Sequence, residues 1–163
     1  MLLPSLWHPL DVQFGPFSVD CCVSPFGANS FCRVGWTKED DARVQDFAGH
    51  NSWGNPPFSD FLDILRNFLR CKRRQQLGTA GTFLVPCWPG NPGYELVLSL
   101  PGVFRVVRRW GKSSTLFTAP SLSGGGRTFW GETDWPVLVV HCPPSPVSWT
   151  DSLLTGDTGV DRC

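Results

Sequence analysis

The chain has 163 residues and carries 14 lysines and arginines against 14 aspartates and glutamates, so a uniformly cationic nucleic-acid coat and an acidic solvating tail are both excluded. Charged residues are 17% of the chain, below the roughly 25% of an average domain. Seventeen glycines and fifteen prolines make it loop-rich and strand-leaning rather than a helix bundle, while 13% aromatic residues supply a core and exclude disorder by composition.

Met1 to His8 has neither the basic n-region nor the long apolar core of a signal peptide, and no stretch approaches the roughly 18 apolar residues of a membrane span. Seven cysteines include no Cys-x-x-Cys pair, so the expectation is no metal and reduced, buried thiols in an intracellular protein, nuclear or cytoplasmic, with no membrane partner. Phe17 to Cys22 reads as a short buried strand ending near an acid, Ser24 to Asn29 as a turn-rich loop, and Phe31 to Gly35 as a second short strand. Lys38 to Arg43 suits a solvated turn or short helix. His50 to Gly54 leads into Asn55-Pro56-Pro57-Phe58, where two prolines forbid helix and central strand.

A helix follows. Ser59 can cap it, Phe61, Ile64, Leu65, Phe68 and Leu69 recur at helical spacing, Arg66 to Arg74 gather at its end, and Gly78 suits the stop. The basic residues here, and Arg105, Arg108, Arg109 and Lys112 further on, suit either a solvated face or phosphate contact. Thr82 to Pro86 reads as a buried strand, Tyr94 to Leu100 as a short helix, and Val103 to Val107 and Val137 to His141 as two more strands. This alternation predicts an α/β layer with a mostly parallel sheet, with ligands held beyond the carboxyl ends of the strands, where Asp20 and Asn55 both fall. Ser121 to Gly126 reads as a surface loop. Residues 1–142 are taken as one domain and 143–163 as a poorly ordered tail.

The tetrapeptide Asn55-Pro56-Pro57-Phe58 carries the chemistry. Asn55 offers an amide oxygen, Pro56 a carbonyl held in a fixed direction by the proline after it, and Phe58 a flat ring; Gly54 permits close approach of another molecule. Two preorganised acceptors beside an aromatic plate suit a planar ring bearing an exocyclic amino group, whose protons they hold while the nitrogen lone pair is aimed at an electrophile.

Placed after a strand and before a helix, Asn-Pro-Pro-Phe resembles the Asp/Asn-Pro-Pro-Tyr/Phe motif of S-adenosylmethionine-dependent amino methyltransferases. Val19-Asp20, Ser24, Asn29, Thr37 to Asp41, Trp53 to Phe58 and Leu84-Val85-Pro86 are similar in order and spacing to phage-type Dam adenine methyltransferases. With Pro86 to Pro92, Leu116 to Pro120 and Thr133 to Val137 added, the likeness is to the Dam-like segment of DIRS-like, tyrosine-recombinase retrotransposon polyproteins and spans residues 7–140. The resemblance implies a Rossmann-like methyltransferase-type fold and methyl transfer from S-adenosylmethionine to an adenine amino group in DNA. It implies that Asn55, Pro56, Pro57 and Phe58 hold the target base and that Asp20, Ser24 and Asn29 lie at the cofactor end. The chain carries Ser24-Pro25-Phe26-Gly27 in place of the family's Phe-x-Gly-x-Gly loop, which keeps open a second expectation: a catalytically dead nucleic-acid-binding or structural module of a retroelement polyprotein.

Overall fold

A computed structural model describes residues 1–25, 27, 29–120, 127–129, 131–147 and 149. In chain order its elements are α1 (Pro4–Phe14), β1 (Val19–Asp20), β2 (Asn51–Gly54), α2 (Phe61–Arg74), β3 (Ala80–Pro86), α3 (Pro92–Leu98), β4 (Arg105–Trp110), β5 (Thr118–Pro120), β6 (Arg127–Phe129) and β7 (Val137–Cys142). The predicted loop at 121–126, most of the predicted tail, and Phe26 and Ala28 of the 24–29 loop lie outside the described residues.

The most apolar runs sit at the middle of a five-stranded sheet ordered β1-β2-β3-β7-β4, with β5 and β6 forming a separate pair. Every residue of β3 and of β7 is buried, as expected of strands covered on both faces. Successive side chains serve opposite faces. Phe83, Val85, Leu138 and Val140 join α2 and α3 in one apolar cluster, while Leu84, Val137 and Val139 join Trp53, Phe17 and Leu10 of α1 in the other. The architecture is therefore α/β, with one helix on one face and two on the other.

The expectation of a mostly parallel sheet is wrong. β1 with β2 and β2 with β3 pair in parallel, but β7 is antiparallel to both β3 and β4, so the sheet is mixed. The reason is the connection. A parallel neighbour requires a crossover, usually a helix, and α2 supplies one between β2 and β3. No helix occurs among the described residues between β4 and β7, so the chain returns through turns and the β5–β6 pair and enters the sheet reversed. β1, β2, β3 and β4 all run one way, and β7 alone runs against them.

Local differences from the expected elements are equally physical. The Phe31–Gly35 strand is absent; one isolated bridge joins Gly35 to Asp20, made where the Asp20 N–H donates to the Val34 carbonyl (3.0 Å) and the Trp36 N–H to the Asp20 carbonyl (2.8 Å). The cap position of α2 falls to Asp60, whose side chain makes no capping hydrogen bond, rather than Ser59. The helix ends at Arg74, with Gly78 three residues beyond its cap, Gln75. Buried Asn67 ties α2 to the preceding segment, donating to the carbonyls of Ala42 (2.9 Å) and Gln45 (2.7 Å). No helix among the described residues is long and apolar enough to cross a membrane.

Candidate functional site

Asp20 ends β1 and stands opposite Trp53 of its parallel neighbour β2, so Asn55, which follows β2 at once, emerges beside the end of β1. Beyond these carboxyl ends, the usual place for ligands in α/β sheets, opens a cavity of about 910 Å³. That volume lies within the range of small-molecule sites. Asn55, Pro56, Pro57 and Phe58 line it on one side, and Ser24 and Asn29 line it with Cys22 on another. Six of the seven expected site residues are thus brought together.

Asp20 is not among the lining residues. Its side chain lies behind the wall, only 3% exposed, and accepts a hydrogen bond from the Cys22 N–H (3.0 Å). Burial pushes its carboxyl up to about 6, against the opposing pull of the Cys22 N–H and the Ser30 hydroxyl. It shapes the turn that forms the wall rather than facing the space. Asn29 is committed in the same way: its Oδ1 accepts from the Ser24 N–H (2.5 Å) and its Nδ2 donates to the Cys22 carbonyl (3.2 Å). The 22–29 loop is closed by one side-chain amide.

The Asn-Pro-Pro-Phe side is different. Among the described residues neither the Asn55 amide nor the Pro56 carbonyl has a hydrogen-bond partner, whereas the Pro57 carbonyl accepts from the Asp60 N–H (3.0 Å) and opens α2. Two acceptors are left free on adjacent residues at the cavity wall. The Phe58 ring, 37% exposed, meets Trp88 edge-on at 4.5 Å and Trp135 at 5.8 Å between ring centroids. These contacts fix the angle of the plate.

Gly54 serves the core instead of an incoming molecule. A Cβ there would lie 2.5 Å from the Phe83 ring and 2.9 Å from the Cys21 sulfur. Gly54→Ala is accordingly expected to lower stability by about 1–3 kcal/mol through overpacking, read as a reduced urea midpoint; a midpoint equal to wild type would refute this account of the glycine.

Sequence reasoning missed another part of the wall, next to Phe58. Thr133 and Trp135 line the cavity, and the Thr133 Oγ1 and Trp135 Nε1 are buried without a hydrogen-bond partner. Their segment entered the sequence reading only as a likeness to a retroelement motif, and periodicity gives no signal for a loop that closes a cavity from 80 residues downstream. The Thr37-Lys38 and Asp41 positions also reach the wall. Asp40 caps Thr37, accepting from its N–H (2.8 Å) and hydroxyl (2.9 Å), and Asp41 pairs with Arg43 (2.7 Å). Both acids are held below the usual carboxylate range by these donors.

Cysteine chemistry is not offered at this wall by Cys21, whose thiol is pushed well above its ordinary range by its hydrogen bond with Cys22 and by burial. Among the described residues no group of three or more histidines, cysteines or acids is placed to hold a metal ion. No protein-family model and no curated protein sequence matches the chain.

Proposed function

We propose that the cavity is the site of an amino methyltransferase-type domain of retroelement ancestry and Rossmann-like descent, which takes S-adenosylmethionine and an adenine base of DNA. The observation that carries the reading is the pair of free acceptors, Asn55 Oδ1 and the Pro56 carbonyl, set beside the Phe58 ring in one cavity at the carboxyl ends of β1 and β2. The residues fit a nucleoside-bearing cofactor in size, since the cavity is about 910 Å³, and the Cys22–Ser24 wall with Asn29 behind it would hold it. When bound, S-adenosylmethionine supplies an electrophilic methyl group.

The chain's own part is positioning. Asn55 and Pro56 accept the two protons of the exocyclic amine, which turns its lone pair out of the ring. Phe58 stacks on the base, and Trp88 and Trp135 keep that ring from rotating away. Asp20 maintains the β1 turn. Such preorganised groups act mainly where charge develops, and removing one costs on the order of a hundredfold in rate.

Asn55→Ala is therefore expected to reduce methyl incorporation into adenine-containing duplex by about a hundredfold. Its melting temperature should match wild type, because the amide makes no hydrogen bond among the described residues. The test is transfer of labelled methyl from S-adenosylmethionine, alongside calorimetry with the cofactor alone. No cofactor binding by the wild-type chain would remove the enzymatic reading.

One observation favours the second reading, a catalytically dead nucleic-acid-binding module. The Ser24 N–H, a donor that a cofactor loop would offer its ligand, is already taken by Asn29. That reading expects nucleic-acid affinity that falls with salt and is indifferent to S-adenosylmethionine.

A further inference from the structure

We infer that the exposed edge of β4 is a track for the phosphodiester backbone of DNA, running along the sheet to the mouth of the cavity. This goes beyond the reading of the cavity and rests on it only for the choice of DNA over another polyanion.

Charge in this neutral chain is unevenly spent. Arg43, Arg66 and Arg74 pair with Asp41, Asp63 and Asp46. Arg70 donates to Asn67 (2.7 Å), Lys72 is buried among carbonyls, and Arg73 lies over the Trp149 ring. Arg105, Arg108, Arg109 and Lys112 are exposed, and none of their side chains has a hydrogen bond or ion pair among the described residues; the same holds for Arg33 and Lys38, which lie in the 30–41 segment away from β4. The free cations of β4 therefore stand together at one edge of the sheet.

Geometry aligns them. Cross-strand neighbours share a face. Arg105 stands opposite His141 and Arg108 opposite Val139, while the register shifts between Val106 and Arg108. Arg105 and Arg108, three residues apart, would point to opposite faces of a regular strand; the extra residue of the bulge returns both to the face carrying α1. Arg109, opposite Leu138, takes the other face, so the edge is cationic on both sides of the strand plane.

The track also has a direction. β4 and β3 are both antiparallel to β7, so the end of β4 lies at the cavity end of the sheet. Just beyond Lys112, the Ser113 N–H donates to the Thr133 carbonyl (2.8 Å) and the Thr133 N–H to the Ser114 carbonyl (3.1 Å), and Thr133 lines the cavity. Six strand residues extend roughly 20 Å, the rise of about six phosphates along one DNA strand. A backbone seated there delivers a neighbouring base to Asn55.

The experiment is fluorescence anisotropy with the full chain and a labelled 20-base-pair duplex, between 50 and 200 mM salt, without cofactor. Wild type is expected to bind with a log–log salt slope of about −3 to −4, corresponding to four phosphate contacts. Arg105→Ala/Arg108→Ala/Arg109→Ala should weaken binding at least tenfold and flatten the slope by about three. The Arg→Lys version should bind near wild type, since phosphates need charge rather than a fork. Arg66→Ala/Arg70→Ala/Arg73→Ala, on the exposed basic run of α2, should bind as wild type does. Unchanged affinity in the β4 alanine variant, equal loss in the α2 variant, or wild-type chain that does not bind duplex would each overturn the inference. All substituted residues are exposed, and matched thermal melts verify folding. Because neither cofactor nor methyl transfer enters the measurement, absence of catalysis leaves its result intact.

Discussion

Lys72→Ala is expected to cost the fold at least about 2 kcal/mol, because each buried carbonyl left without a donor costs about 1–3 kcal/mol. Lys72 has no exposed surface. Its Nζ donates into a ring of backbone carbonyls, those of Gln76 (2.5 Å), Thr79 (2.8 Å), Pro143 (2.6 Å) and Ser145 (2.9 Å). Burial lowers its pKa, and no carboxylate among the described residues pairs with it; carbonyl dipoles alone hold the ammonium. Alanine would orphan all four acceptors, and Lys72→Met, which refills the space, would orphan them equally. The same ring fastens residues 143–145 to the end of α2, a join reinforced by the Val147 N–H donating to Gln76 Oε1 (3.1 Å). Both variants should therefore show a lower urea midpoint together with faster proteolysis after Cys142. A loss below about 1 kcal/mol would mean that the lysine is incidental.

Asp20 and His141 are expected to give the protein two opposing pH dependences of similar size. Asp20 is raised from 3.8 to about 6 by burial, so the folded state holds its proton more tightly than the unfolded chain does. Its contribution is complete below about 4 and is lost as pH rises toward 6. His141 is lowered from 6.5 to about 4, by burial first and then by the charges of Arg105 and Lys72. It is 8% exposed, with Nδ1 2.9 Å from the Thr82 hydroxyl and the Phe14 ring 4.5 Å away. Its contribution is complete above 6.5 and is lost as pH falls toward 4. At about 1.4 kcal/mol per unit, each amounts to roughly 3 kcal/mol across its window. In wild type the two nearly cancel between pH 4 and 6.5. Asp20→Asn should expose a steep loss of stability toward acid, and His141→Gln a gain. Urea midpoints at pH 4.5, 5.5 and 6.5 decide it: if both variants keep the wild-type profile, neither group titrates as described.

The parts of this fold that were legible in the sequence are those whose burial is uniform. Phe61 to Leu69 repeat at 3.6 residues because one stripe of α2 faces Phe83 and Phe104, and the runs in β3 and β7 are apolar because both of their faces are covered. α1 was illegible for the opposite reason: Pro4 at its start and Pro9 inside it mask a helix whose stability comes from Leu10 and its neighbours meeting the sheet. β4 was displaced toward Val103 and Phe104 because these bury in the turn before the strand, while the strand itself is an arginine-rich edge. The direction of β7 is a property of the path taken to reach it, which no local pattern encodes. At the site, Asn55 to Phe58 could be read because prolines constrain backbone wherever they occur. The Thr133–Trp135 wall could not, since its position depends on the sheet being assembled first.

The place of β7 has a consequence for biosynthesis. The strand that joins β4 to the rest of the sheet, lying between β3 and β4, is the last of the named elements to leave the ribosome. Until Cys142 has emerged, β3 keeps an unpaired edge of N–H and C=O groups beside Phe83, Leu84 and Val85, and β4 lacks its partner in the sheet. Closure of the sheet is therefore performed by a strand made after both of its partners, and a chain stopped before Val137 would leave the β3 edge open and competent to capture a strand from another molecule.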